Sequence, residues 1–415
     1  MHGAAVLARV ALVTLLAIGC ATPPDESSEP SWSVTLIPTA SLRPTSTPAP
    51  TSDATVGEHL LVRWEPLDEL MELEDWGEAL GYVFHDGERW VAFWCAEHRH
   101  GCLTTLVSED ARTWTPPSLA GVTSLPQDFA VGPDGWVITG NEPGSPKRLE
   151  IWRSADASTW TRAGAFPSEY CTRLACRYDD SLAVAPSGAI VIGSTRLEFF
   201  PSESSTGPYV SNDGVEWTLI GLEGLGVETF QYSSIQSTPD GLVLAGTTCE
   251  GCDRRMWRSS DGLVWEDFGT ITTRSSPPPV GIGPMAAIGA LLLAPVAVCE
   301  DGASGCRYEL WGREAGGPWA LRGTLPEMFV QQLAVVEAGL GGQAFLAVAE
   351  THQSRLVSLV SVDGATWTEV LSIGGPSISE IEECEYSRDV TIAAGIIVLN
   401  AKHCGVWRGT LEVQP

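Results

Sequence analysis

Lysine is what this sequence has least of. Only two of its 415 residues are lysine, Lys147 and Lys402, and the formal net charge is −28. So anionic a surface repels phosphate backbones, which removes nucleic acid from the expected partners and argues against a basic, membrane-hugging face. Catalytic signatures are also missing. No Ser/His/Asp ordering, phosphate-cradling loop or helical metal motif occurs, so no catalytic residue, cofactor or metal site is expected. Gly281 to Val298 is a charge-free run of eighteen residues, close to the length that spans a bilayer. It carries Pro284, Pro295 and three glycines, and reads instead as buried strands.

The N-terminus is more specific. His2 and Arg9 precede an apolar run from Val10 to Ile18 that ends in Leu16-Ala-Ile-Gly-Cys20. The run is too short to span a bilayer and has the layout of a secretory signal. The small residues before the cysteine resemble the lipobox of bacterial lipoproteins. That resemblance implies a signal peptide over 1–19, acylation of the Cys20 thiol, and a head held outside the cytoplasm by a membrane anchor. Residues 20–57 are rich in Thr, Pro and Ser. They hold too little apolar area to offset the entropy of ordering, so a flexible linker is expected.

The chain has eleven cysteines, an odd number that asks for an explanation in an exported protein. With Cys20 set aside as the lipidation site, Cys95/Cys102, Cys171/Cys176, Cys249/Cys252 and Cys299/Cys306 form four close pairs, and Cys384 with Cys404 makes a fifth. Five disulfides suit an oxidising compartment.

An internal repeat sets the fold. Ser108-Glu-Asp110-Ala-Arg-Thr-Trp114 recurs as Ser154/Asp156/Trp160, Ser211/Asp213/Trp217, Ser259/Asp261/Trp265 and Ser361/Asp363/Trp367, with a decayed copy over Gly312–Trp319. Successive tryptophans are 46, 57, 48, 54 and 48 residues apart. A period near 50 built of short strands fits four-stranded propeller blades. Each unit reads as strand A, an Asp-Gly-type turn, strand B, a loop, strand C, the Ser-x-Asp turn, and strand D. The box residues are expected to be structural. Asp and Ser accept turn amides, and glycine takes the positive φ. Every box tryptophan is expected to pack between neighbouring sheets and bury a large area there.

Six boxes would give six blades, but the chain ends supply more. Val406-Trp-Arg-Gly409 looks like a strand C without its strand D, and His59-Leu-Leu-Val-Arg-Trp64 like a strand D without its box. Joined, they close a seventh blade and remove exposed edges. The expected fold is therefore an all-β, seven-bladed β-propeller over 58–415, closed by an N-terminal strand, with six and eight blades as the alternatives.

The boxes resemble the Asp-box (BNR) repeats of sialidases, sortilin-type receptors and photosystem assembly-factor propellers, in a shortened form. That resemblance speaks for fold and not for activity. The sialidase pattern implies an arginine in a Phe/Tyr-Arg-Ile-Pro motif. Arg63 sits in Leu-Val-Arg-Trp, so sialidase activity is not expected.

Ligands of such folds meet the face that carries the D–A and B–C loops, and all ten remaining cysteines map to that face. Three clusters belong to it. Glu97-His-Arg-His100 offers two imidazoles but no third ligand, and reads as an exposed hairpin tip with metal ligation as the alternative. Cys249-Glu-Gly-Cys252 has zinc or redox spacing, but no second pair supports it. Arg173, Arg177, Tyr178, Asp179 and Asp180 lead into the third blade near the channel mouth and are the candidate ligand contacts. The acidic run from Asp68 to Asp75 reads as a solvated connector, with calcium as the alternative. The functional expectation is a monomeric, membrane-tethered binding or scaffold module for a protein, peptide or glycan. The alternatives are a glycan-active hydrolase or lyase acting at the channel mouth, and an envelope assembly factor.

Overall fold

The computed structural model describes residues 60–67, 70, 78–96, 102–115, 118–119, 122, 125–142, 145–166, 182–193, 207–238, 240–248, 253–273, 281–299, 306–325, 328–338, 342–351, 355–374, 388–401 and 405–413. These residues form a seven-bladed β-propeller.

The first strand, β1 (Leu60–Pro66), belongs to the last blade. Blade 1 is β2 (Glu78–His85), β3 (Trp90–Ala96), β4 (Cys102–Ser108) and β5 (Ser118–Leu119). Blade 2 is β6 (Leu125–Gly132), β7 (Gly135–Glu142), β8 (Ser145–Ser154) and β9 (Thr161–Ala165). Blade 3 has the short strands β10 (Leu182–Val184), β11 (Ile190–Ile192), β12 (Tyr209–Ser211) and β13 (Thr218–Leu219), followed by the one-turn helix α1 (Gly221–Gly224). Blade 4 is β14 (Gln231–Thr238), β15 (Gly241–Thr247), β16 (Arg254–Ser259) and β17 (Glu266–Ile271). In blade 5 the inner strand is broken into β18 (Gly281–Ile282) and β19 (Ala286–Ile288), both paired to β20 (Leu291–Cys299), with β21 (Cys306–Arg313) and β22 (Trp319–Leu325) outside. The eighteen-residue apolar run is thus strands joined by a bend, because Pro284 cannot donate to a ladder. Blade 6 is β23 (Met328–Glu337), β24 (Gln343–Thr351), β25 (Leu356–Ser361) and β26 (Thr368–Glu369).

Blade 7 holds β27 (Leu371–Ile373), β28 (Arg388–Ala393), β29 (Ile396–Ala401) and β30 (Gly405–Val413), in the order β27-β1-β30-β29-β28. β1 pairs antiparallel with β30 along its whole length, from Leu60↔Val413 to Pro66↔Trp407. Its other edge is covered by β27, which runs parallel to it from Leu61↔Leu371 to Arg63↔Ile373. The closing strand therefore has partners on both sides.

Four A–B strand pairs slip register at one level. The breaks fall between Leu80 and Tyr82, Pro126 and Asp128, Tyr232 and Ser234, and Val330 and Gln332. Traced through strand B, each post-bulge residue meets a strand C residue three before the turn serine: Thr105, Ile151, Met256 and Ser358. Blade 5 bends at Gly283-Pro284, where the Gly283 amide donates to Pro295 O at 2.8 Å. A bulge bends its strand and re-aims a side chain, so this recurrence sets the same kink at the same level of four inner strands.

The cores lie between blades. Trp160 packs with Val91 and Phe93 of blade 1, Trp265 with Val191 and Val210 of blade 3, and Trp319 with Val243 and Ala245 of blade 4. Each of these indoles reaches back against the preceding blade. Trp114 of blade 1 packs against Val398 and Val406 of blade 7, which closes the circle. Trp64 on β1 fills the seventh place, buried among Val336, Leu346 and Val360 of blade 6. Its register matches too: Trp64 faces Gly409 as Trp319 faces Arg313.

Trp217 and Trp367 depart from the expectation that every box tryptophan is buried. Both reach the preceding blade, Trp217 against the cluster of Leu149, Ile151 and Phe166 in blade 2 and Trp367 against that of Leu293 and Leu310 in blade 5. Yet both are only half-buried, whereas Trp114, Trp160 and Trp265 are buried. Each leads directly into a strand D of two exposed residues, β13 or β26, but strand length alone does not decide burial, since β5 after the buried Trp114 also has two residues. The indole N–H bonds are also longer, at 3.3 Å to Gly214 O and Gly364 O against 2.8 Å from Trp265 to Gly262 O.

The Ser-x-Asp turns share one hydrogen-bond scheme. In all five, the serine hydroxyl donates to the aspartate Oδ1 at 3.0–3.1 Å. The same Oδ1 accepts the amides two and three residues on, as from Val215 and Glu216 at 2.8 and 3.0 Å in blade 3. Gly214, Gly262 and Gly364 adopt positive φ at the fourth position, and Ala111 and Ala157 adopt it in blades 1 and 2.

Candidate functional site

The inner strands of blades 2 to 6 enclose a cavity of about 440 Å³, lined by Asp128, Leu182, Ser234, Ile235, Gln236, Ile282, Gly283, Pro284, Gln331 and Gln332. Ligand pockets commonly span 300–1,000 Å³. The cavity lies on the ring of bulges, since Asp128, Ser234 and Gln332 are the post-bulge residues of blades 2, 4 and 6.

Several lining groups clamp one blade to the next. Asp128 accepts the amide of Phe129 at 2.7 Å with Oδ1, and that of Leu182 in blade 3 at 2.6 Å with Oδ2. Gln236 Nε2 donates to Gly283 O at 2.9 Å, and its Oε1 accepts the Met285 amide at 2.7 Å, tying blade 4 to blade 5. Just below, the Ser237 hydroxyl donates to Val184 O at 3.1 Å. Such bonds are directional and partly buried, so they help hold the channel wall in place. Gln331 Nε2 donates to Glu350 Oε2 at 3.3 Å.

Two lining groups are left for a ligand. The Ser234 hydroxyl is buried without a hydrogen-bond partner, on a residue 6% exposed. The side-chain amide of Gln332 makes no hydrogen bond among the described residues. Asp128 is the ionisable side chain in this lining; the rest are amide, hydroxyl and hydrocarbon. The wall therefore offers positioned donors and acceptors, with no acid–base pair among its described members. No group of three or more metal-ligating side chains occurs among the described residues.

The sequence-derived candidates fare unevenly. Arg173, Arg177, Tyr178, Asp179 and Asp180 lie outside the described residues, as do Cys20, Cys171, Cys176, Cys249, Cys252, Cys384, Cys404 and the Glu97–His100 cluster. Of the acidic connector only Leu70 is described, and it is buried. Two cysteine pairs are placed, and they lie on strands rather than within loops. Cys95 and Cys102 sit on β3 and β4, directly opposite in register, and Cys299 and Cys306 likewise on β20 and β21. Extra pairing at the strand ends has drawn these cysteines into the ladder.

The bulge ring escaped the sequence reading, although a signal was present. Polar doublets, Gln127-Asp128, Ser233-Ser234 and Gln331-Gln332, interrupt three otherwise alternating inner strands. Each marks the extra residue of a bulge.

No family model matches the chain, and no curated protein matches it. Solved structures do resemble it. The β-propeller domain of the Trilobed protease from Pyrococcus furiosus is 11% identical with a TM-score of 0.42, covering 72% of this chain and 85% of its own. A periplasmic gluconolactonase of Pseudomonas aeruginosa is 12% identical with a TM-score of 0.44, covering 78% and 88%. PorZ, a surface component of the type-IX secretion system of Porphyromonas gingivalis, is 10% identical with a TM-score of 0.46, covering 79% and 46%. The likeness extends to the fold alone.

Proposed function

We propose that this chain is an exported lipoprotein whose propeller, of the Asp-box type, is a binding or scaffold module for a protein, peptide or glycan. In this reading the thiol of Cys20 carries the lipid, residues 20–57 are a spacer, and the head stands clear of the membrane outside the cytoplasm. The loop-bearing face and the channel behind it form the ligand surface.

One observation carries the binding role: a cavity of about 440 Å³ whose described polar lining is amide and hydroxyl, with one carboxylate among the described residues, engaged by two backbone amides. Glycan hydrolysis uses two carboxylates flanking the scissile bond. A wall of fixed, neutral hydrogen-bonding groups suits recognition instead. The uniform Ser-x-Asp hydrogen bonds support the Asp-box assignment, and the lipobox-like Leu16–Cys20 supports the anchor. The opposed positions of Cys95/Cys102 and Cys299/Cys306 support disulfides, because antiparallel partners have Cα atoms about 4.5–5.5 Å apart, within bridging range.

The anchor is tested by fractionation. Cys20→Ser should move the protein from membranes to the soluble fraction, and unchanged membrane association refutes the lipid reading. Non-reducing mass spectrometry should find no free thiol in the mature protein. The binding role is tested with the full chain on a glycan array and in cross-linking pull-downs from envelope extracts. Silence in both, beside turnover of a glycan substrate, would overturn it in favour of an enzyme.

A further inference from the structure

The ring of bulges narrows the chemistry of what the channel takes. We infer that the mid-channel cavity binds a small, uncharged, polyhydroxylated molecule of mono- to disaccharide size, an inference that rests on the binding reading above.

Three observations point there. First, the Ser234 hydroxyl is buried on the cavity wall with no partner. Buried polar groups are nearly always hydrogen-bonded, so an orphan hydroxyl on a residue that lines a cavity is available to a ligand atom that reaches it. Second, Gln332 stands at the same level two blades away, its amide unengaged among the described residues. A hydroxyl and a primary amide each donate and accept, and the groups that answer them in kind are other hydroxyls. Third, Leu182, Ile282 and Pro284 line the same space. They give it the apolar strip that the C–H face of a sugar or polyol needs.

Charge selects further. Asp128 and a net charge of −28 disfavour an anion. A cation would have to share Asp128 with the Phe129 and Leu182 amides, which already hold one bond on each carboxylate oxygen. Uncharged hydroxyls meet neither obstacle. The Asp128 and Gln236 clamps hold the wall before any ligand arrives, which lowers the ordering cost of binding.

The experiment is saturation-transfer NMR and calorimetry on the full chain. The neutral probes are D-glucose, D-galactose, N-acetylglucosamine and myo-inositol; the charged counterparts are gluconate and glucosamine. At least one neutral probe should bind, and each charged counterpart more weakly than its parent. Gln332→Ala should weaken that binding about tenfold, the loss of a typical ligand hydrogen bond. Ser234→Ala should weaken it while leaving the unfolding midpoint unchanged or raised, because the native hydroxyl has no protein partner to lose. A merely structural serine would lower the midpoint and leave affinity alone, which overturns the proposal. So do binding of gluconate or glucosamine in preference to every neutral probe, and failure of all four neutral probes. A glycan-array signal that survives both substitutions also refutes the channel site, while leaving the wider binding role intact.

Discussion

Trp64 and Gly409 face each other across the β1–β30 ladder, and a Cβ at 409 would lie 2.9 Å from Val62 Cγ1 and 3.1 Å from the Trp64 ring. In blade 5 the corresponding pair, Trp319 and Arg313, comes from one continuous hairpin. Here the two halves come from opposite ends of the propeller. Gly409→Val should push Trp64 out of the blade 6–7 core and lower the urea midpoint. An unchanged midpoint would show that the closing strand tolerates a side chain there.

The seven indoles are not equally replaceable. Trp265 is 7% exposed and donates to Gly262 O at 2.8 Å. Trp265→Ala should cost about 3–5 kcal/mol, the usual range for a buried aromatic cut to alanine. Trp217→Ala and Trp367→Ala should cost less, because part of each ring already faces water. Trp64→Ala removes a similar area to Trp265→Ala, but from the strand that closes the ring. It should therefore also speed limited proteolysis near residue 60, which the other substitutions should not. Urea denaturation ranks the four variants, and mass mapping of the first cleavage products singles out Trp64.

The fourth residue of the turns gives an asymmetric pair. Gly262 has φ +77°, and an added Cβ would come within 2.6 Å of Val191 Cγ2. Gly262→Ala combines that overlap with a left-handed penalty of about 1–2 kcal/mol, so a loss of roughly 2 kcal/mol or more is expected. Ala157 is already left-handed at φ 56° and fully buried. Ala157→Gly relieves the penalty but gives the unfolded chain extra freedom worth about 1 kcal/mol. The net change should be near zero. Chemical denaturation of both variants checks the contrast.

Acid should loosen the turns. Asp213 and Asp261 are held below the usual carboxylate range, first by the amides of Glu216 and Val264 and then by those of Val215 and Leu263. At Asp156 and Asp363 burial is the largest influence and opposes this, but amide and serine hydrogen bonds outweigh it and the net shift is also downward. A carboxyl depressed in the folded state contributes stability above its unfolded pKa of about 3.9 and loses it as pH falls through the folded value. The unfolding midpoint should therefore drop below about pH 4, with these groups adding no slope between pH 5 and 7. Asp261→Asn should shallow the acid limb. An equally steep limb would assign it to other carboxylates.

What the sequence disclosed followed the range of each interaction. The Ser-x-Asp turns were legible because serine, aspartate, glycine and tryptophan satisfy one another within seven residues. How deeply each tryptophan is buried was not, since Trp217 and Trp265 carry the same Ser-x-Asp-Gly-x-x-Trp box and differ in the neighbouring blade that receives the indole. The ring closure was legible because Val62-Arg-Trp64 and Val406-Trp-Arg408 each lacked the partner the other supplies. β27 escaped, since its parallel place beside β1 depends on where the chain turns after Glu369, and no local pattern encodes that. The bulges also depend on register against a neighbour, and only the polar doublets hinted at them. The cavity inherits that difficulty: Asp128, Ser234 and Gln332 are ordinary alone and become a site once three blades stand at one height.

The place of β1 between β27 and β30 also fixes an order of events in synthesis. Strand β1 emerges first, yet its antiparallel mate at 405–413 is made only after the other six sheets. Until then the earliest strand can join only the three residues of β27, and those six sheets remain an open arc. Loss of even the segment 405–413 would leave that arc unclosed at both ends. Synthesis of the segment 405–413 and completion of the ring are one event.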